Sequence, residues 1–150
     1  MSDQQTFLTE RRGATLVITI NRPDQRNAIN GPVSDGIARG IRELEGDPEL
    51  TVAVLTGAGK GFSAGMDLGA FARGEMVFDA ERGFAGMTIK RPSKPVIAAV
   101  EGCAVAGGLE VALAADLLVV ARDTPSGLPS LIAVRTTVFV FFRFHHLKSR

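Results

Sequence analysis

Two glycine-rich stretches and one carboxylate are the groups in this chain most able to do chemistry. Gly107-Gly108 come soon after a short apolar run, Val96 to Val100, and open a segment of good helix formers, Leu109 to Ala115. The first amides of a helix have no intrahelical acceptor, and the helix dipole puts partial positive charge on them. Glycine lets a ligand come close to such amides. The arrangement suits a bound anion or a developing oxyanion. The same glycines would also suit tight packing of a helix on a strand, and this feature alone leaves both readings open. Glu110 lies three residues after Gly107, on the same helix side about one turn on. Its neighbours Leu109, Val111, Ala112 and Leu113 are apolar. Such flanks should partly desolvate the carboxylate and raise its pKa toward the range useful for proton transfer. They favour an acid/base role over that of a solvated helix residue.

Other candidates fall away on inspection. Gly57-Ala58-Gly59-Lys60-Gly61 invites a nucleotide reading. A phosphate-binding loop of the G-x-x-x-x-G-K-[ST] type needs a hydroxyl after the lysine and a glycine five residues before the second one. Here Gly61 and Val54 stand there. The G-x-G-x-x-G pattern fails at Phe62. Cys103 is the only cysteine, so an internal disulfide framework and an all-cysteine zinc site are excluded. No histidine precedes residue 145 to activate it, and it reads as a small buried packing residue. His145 and His146 read as a solvated pair, and no metal site is expected. Arg11-Arg12 and Arg91 to Lys94 read as solvated loops.

The surrounding pattern must hold these groups. Ala14 to Ile20 alternates as a half-buried strand does, with Leu16, Ile18 and Ile20 on one face. Asn30 can cap a helix entered through Gly31-Pro32. Val33, Ile37, Ile41 and Leu44 give that helix one apolar face, and it should stop near Gly46-Asp47-Pro48. Val52 to Thr56 predicts a strand buried on both faces of a parallel sheet. Met66 to Phe71 predicts a short helix, and Glu75 to Lys90 a partly helical stretch. Val96 to Glu101 and Leu117 to Ala121 predict two more strands, with the helix Leu109 to Ala115 between them. Strands alternating with helices and glycine loops predict an α/β class.

Composition narrows the function. The 150 residues are 45% hydrophobic and 22% charged, as in an ordinary globular domain. The net charge of +1 gives no nucleic-acid footprint and no polybasic membrane patch. The longest apolar runs fall far short of the ~20 residues of a bilayer span, and Met1 to Gly13 lacks the pattern of a signal peptide. A cytoplasmic protein is expected.

Four stretches, in order, resemble the crotonase superfamily, the enoyl-CoA hydratase/isomerase proteins. Asn21-Arg22-Pro23 with Asn27-Ala28-Ile29 is similar to the family's N-R-P-x-x-x-N-A-L turn. Leu55-Thr56-Gly57 through Phe62-Ser63-Ala64-Gly65-Met66-Asp67-Leu68 is similar to its L-T-G…F-S-A-G-x-D-L segment. Lys94 to Gly102 is similar to K-P-V-I-A-A-V-x-G, and Ala106-Gly107-Gly108-Leu109-Glu110 to A-G-G-G-x-E. The resemblance implies a crotonase-like spiral of ββα units and chemistry on acyl-CoA thioesters, namely the reversible hydration of a 2-enoyl-CoA in fatty acid metabolism, with enoyl-CoA isomerisation as the alternative within the family. It implies that the backbone N–H groups of Met66 and Gly107 stabilise a thioester enolate and that Glu110 is the acid/base. Arg26 would meet CoA phosphates, and Ala64 would lie near the adenine. No cofactor is implied, because CoA is part of the substrate. Family members form homotrimers or hexamers.

The pattern departs from the family late in the chain. Gly127-Leu128-Pro129 is similar to a G-L-P-E stretch whose glutamate is a second catalytic carboxylate, but Ser130 stands there. After Asp123 there is no acidic residue, and four of the nine phenylalanines lie between Phe139 and Phe144. Val138 to Phe144 has the composition of an aggregation-prone strand. Residues 1–123 are therefore expected to form the N-terminal part of the crotonase-like domain. Residues 124–150 are expected to be an atypical tail, out of frame or truncated near Pro129. The rival expectation is a non-catalytic truncated paralogue or partner-binding fragment.

Overall fold

The computed structural model describes residues 5–121 and the backbone of residues 140–142. Strand β1 (Phe7–Arg12) pairs antiparallel with β2 (Thr15–Ile20), and α1 (Gly31–Gly46) follows. The unit recurs as β3 (Val52–Gly57), β4 (Gly61–Ser63) and α2 (Leu68–Ala72). After a small hairpin, β5 (Phe78–Asp79) with β6 (Gly83–Phe84), it recurs as β7 (Val96–Val100), β8 (Cys103–Ala104) and α3 (Gly107–Ala114). Strand β9 (Leu117–Val120) comes next. Strands β2, β3, β7 and β9 run parallel in that spatial order, while β4 and β8 form a parallel pair of their own. This is the ββα rhythm of the expected spiral.

Pattern explains most of it. Leu16, Ile18 and Ile20 are buried and alternate with half-buried neighbours. The Asn30 side chain accepts the Val33 N–H at 3.2 Å, and Pro32 sits in the first turn, where its missing N–H costs nothing. Val33, Ile37, Ile41 and Leu44 are buried in one core with Leu16, Ile18, Ile20 and Leu55.

Five expectations change. Strand β1 was not legible, because five of its six residues are exposed and carry no apolar alternation; pairing with β2 holds it. Strand β3 buries one face fully and the other only by half. Strands β4 and β8 lie inside the glycine loops and are too short to show a period. Arg11 and Arg12 belong to β1, where Arg11 pairs with Asp47 and Arg12 with Glu10, while Lys94 donates to the Asp47 and Leu50 carbonyls. The stretch 75–90 contains no helix: φ is positive at Gly83, Ala85 and Gly86, which no right-handed helix tolerates. It is tied to α1 instead. The Ser34 hydroxyl donates to the Val77 carbonyl at 3.0 Å, and Arg42–Asp79 and Arg82–Glu45 form ion pairs.

The backbone of β10 (Val140–Phe142) pairs antiparallel with β9. Ser130 and the expected boundary at residues 123–124 lie outside the described residues.

Candidate functional site

Asn27 knits the site together. Its side chain is buried, and its amide donates to the Ala58 carbonyl at 2.8 Å and the Gly61 carbonyl at 2.6 Å. Its side-chain oxygen accepts the Arg22 N–H at 2.9 Å. Ser63, also buried, donates to the Asn27 carbonyl at 2.8 Å and accepts the Gly65 N–H at 3.1 Å. The turn at 21–30 is thus bolted to the first glycine loop. Replacing Asn27 by alanine strands these buried partners and leaves a Cβ residue at φ +55 without an asparagine's local bonding. The expected loss is about 2–4 kcal/mol of stability, read by urea unfolding. Asn27→Gly should recover only the backbone part of it.

Two backbone amides converge beside this frame. Ile29 bridges Met66: its N–H donates to the Gly65 carbonyl at 2.7 Å, and its carbonyl accepts the Asp67 N–H at 2.9 Å. In a trans peptide the C=O and N–H point opposite ways. The Met66 N–H therefore points away from Ile29. Gly65, at φ +92, lets α3 approach; a Cβ there would lie 2.9 Å from the Gly107 nitrogen. A Cβ on Gly107 would lie 3.4 Å from the Met66 nitrogen. Ala106 caps α3 at φ +48 and ψ −127, a strained setting for a residue with a Cβ. Neither the Met66 nor the Gly107 N–H has an acceptor among the described residues. The Met66 side chain packs against the core, as expected.

Glu110 sits in the first turn of α3 but is exposed. The desolvation expected from its apolar flanks is not met. Val111 and Ala112 turn into the core, whereas Leu113 is 51% exposed beside it. The ring tip of Phe84 lies over Gly107, 2.7 Å from where its Cβ would be. Phe84 also packs on Phe78, with ring centroids 5.5 Å apart.

Arg26 and Ala64 meet in a groove of about 270 Å³, lined also by Lys60, Cys103 and Val105. The Ala64 N–H donates to the Arg26 carbonyl at 2.9 Å. Cys103 is exposed in this groove, contrary to the buried packing role expected of it, because β8 lies open on that side. In sequence Lys60 belongs only to a failed phosphate loop; the fold sets it beside Arg26 in one groove. Asn27, Ser63 and Phe84 were likewise missed as site residues. A buried polar residue inside a motif was the available signal for the first two. Among the described residues, no cluster of His, Cys, Asp and Glu could hold a metal ion, and no helix is long and apolar enough to cross a membrane.

Parallel ββα units with paired glycine loops define a crotonase-like α/β chain. The family model described as enoyl-CoA hydratase/isomerase matches residues 10–132, past the boundary expected at 123. The chain belongs to that enoyl-CoA hydratase/isomerase family. It is 44% identical over 128 residues to a mevalonyl-coenzyme A hydratase of Beauveria bassiana, covering 77% of this chain and 46% of that protein. It is 48% identical over 124 residues to a carnitinyl-CoA dehydratase of Salmonella paratyphi B, covering 79% and 47%. It is 57% identical to a solved enoyl-CoA hydratase of Mycobacterium tuberculosis, with a TM-score of 0.77 over 80% of this chain and 47% of the other. The chain spans about half the length of these relatives.

Proposed function

We propose that this chain binds acyl-CoA thioesters and belongs to a hydratase-type lyase that adds water reversibly to a 2-enoyl-CoA. One observation carries the reading: two undonated amides, Met66 and Gly107, converge at a strained helix start, with a carboxylate one turn on. In this reading the thioester oxygen accepts both N–H groups. Glu110 takes a proton from water as the oxygen of that water bonds to C3. The C2–C3 π electrons move toward the thioester oxygen as an enolate. The enolate then collapses as C2 takes a proton, completing the addition. The amides are preorganised, so charge develops against fixed donors. With Ser130 in place of a second carboxylate, Glu110 must serve both proton transfers, and hydration is impaired more than a proton shift along the acyl chain would be. That keeps isomerisation as the alternative chemistry. A cytoplasmic setting and no cofactor beyond the CoA of the substrate belong to the same reading.

Titration with a 2-enoyl-CoA whose double bond is conjugated to an aromatic ring tests it. Saturable binding with a red-shifted absorbance is expected, because hydrogen bonds to the carbonyl polarise the conjugated system. Unsaturable binding overturns the reading. Arg26→Ala with Lys60→Ala should weaken binding about tenfold, most at low salt. The same pair should leave the affinity for the matching pantetheine thioester, which lacks the nucleotide phosphates, unchanged. The rival reading, a partner-binding fragment, draws on the exposed Leu113 and an apolar hollow lined by Val100, Leu109, Leu118 and Val120. Solubility only alongside a full-length relative would favour it.

A further inference from the structure

We propose that Arg22 is a positioning residue that aims and polarises the Met66 amide through two successive peptide groups. The inference rests on Met66 acting as an oxyanion donor.

The relay runs along two hydrogen bonds. The Arg22 Nη1 donates to the Ala28 carbonyl at 2.7 Å. The peptide that carries this carbonyl also carries the Ile29 N–H, on its opposite edge. That N–H donates to the Gly65 carbonyl at 2.7 Å. The Gly65 peptide in turn carries the Met66 N–H. One cation thus fixes the tilt of two peptide planes in series, and the free end of the series is the candidate donor. Hydrogen bonds in a chain polarise one another. A guanidinium pulling on the first carbonyl makes the Ile29 N–H a better donor, which makes the Met66 N–H a better donor in turn.

Asp67 braces the cation from a second side. Its Oδ2 accepts Arg22 Nη1 at 2.9 Å, and its Oδ1 accepts the Ala70 N–H at 2.9 Å at the start of α2. The two side chains are only 13% and 20% exposed. The Ala70 N–H and then Arg22 hold the Asp67 carboxyl below its ordinary pKa, against some opposition from burial. Asp67 is therefore charged at neutral pH and adds a second, stabilising anchor to the one that the Ala28 carbonyl already gives Arg22.

The test is the absorbance shift and the thioester carbonyl stretch of the bound aryl-enoyl-CoA, in the full chain. Arg22→Met should cut the shift by half or more and lower any turnover about tenfold, less than the ~10²–10³-fold lost with a whole oxyanion donor. Affinity for free CoA should not move. Arg22→Lys keeps a charge and a donor and should recover most of the shift, while Arg22→Gln should recover little. Asp67→Asn keeps a good helix cap and leaves the cation on Ala28; it should lower the melting temperature yet retain the shift. A structural ion pair acting alone predicts instead that Asp67→Asn and Arg22→Met behave alike, and that result overturns the proposal. So does an undiminished shift in Arg22→Met, or equal shifts in the Lys and Gln variants, which decide the matter if Arg22→Met does not fold. Binding by the unaltered chain with no shift at all overturns the oxyanion reading together with this one. Binding with a shift that ignores Arg22 overturns only this one.

Discussion

Glu110→Gln is expected to lower turnover of a 2-enoyl-CoA by about 10²–10⁴-fold while leaving its dissociation constant nearly unchanged. Glutamine keeps the size of the side chain and its place on α3 but cannot take a proton. The Glu110 side chain is exposed and makes no hydrogen bond or ion pair among the described residues, so stability should not move. In the proposed reading, binding relies on other groups, the Met66 and Gly107 amides and the Arg26 groove. A fall in rate without a fall in affinity is therefore the signature of a group acting in the transition state. Initial rates together with calorimetric dissociation constants decide it. Unchanged turnover removes Glu110 from the mechanism. A parallel loss of affinity makes it a binding residue.

Gly108→Val should have the second largest effect. A Cβ on Gly108 would lie 2.4 Å from the Ser63 carbonyl oxygen, and that obstacle is backbone. Ser63 cannot retreat, because its hydroxyl is held between the Asn27 carbonyl and the Gly65 N–H. The helix start must give way instead. Overpacking of this kind costs about 1–3 kcal/mol, and sometimes more. Displacing the Gly107 amide by about 1 Å should cost roughly 10²-fold in rate. Gly107→Ala is the contrast: its Cβ meets the tip of the Phe84 ring, which can tilt. Thermal melting and kinetics on both variants separate the cases. A Gly108→Val variant with unaltered melting and rate would mean that the loop is soft, and the preorganised amide pair would fall with it.

The pairing of the two amides was legible only through the family resemblance, and the fold does bring Gly65-Met66 and Gly107 together. The helix α1 was legible because Asn30, Pro32 and the apolar positions from Val33 to Leu44 all point the same way. The surroundings of Glu110 were not legible. Flanking residues in sequence do not cover a helical side chain, since Val111 and Ala112 face inward while Glu110 faces out. The 75–90 stretch misled because its helix formers are local, whereas the ties to Glu45, Arg42 and Ser34 that set its path are not. Lys60 was hidden for a similar reason: its partner in the groove, Arg26, is far away in sequence and near only after the sheet forms.

The two candidate donors belong to the main chain. No substitution short of proline can delete the N–H of Met66 or Gly107, whereas every codon at position 110 is open to drift. A lineage can therefore change the fate of a thioester enolate while inheriting the means to hold it. On the proposed reading, Glu110 and the groove of Arg26 and Lys60 are the parts on which selection has purchase. Relatives named for a mevalonyl and for a carnitinyl thioester can then be 44% and 48% identical to this chain over the aligned half of their length while being named for different thioesters.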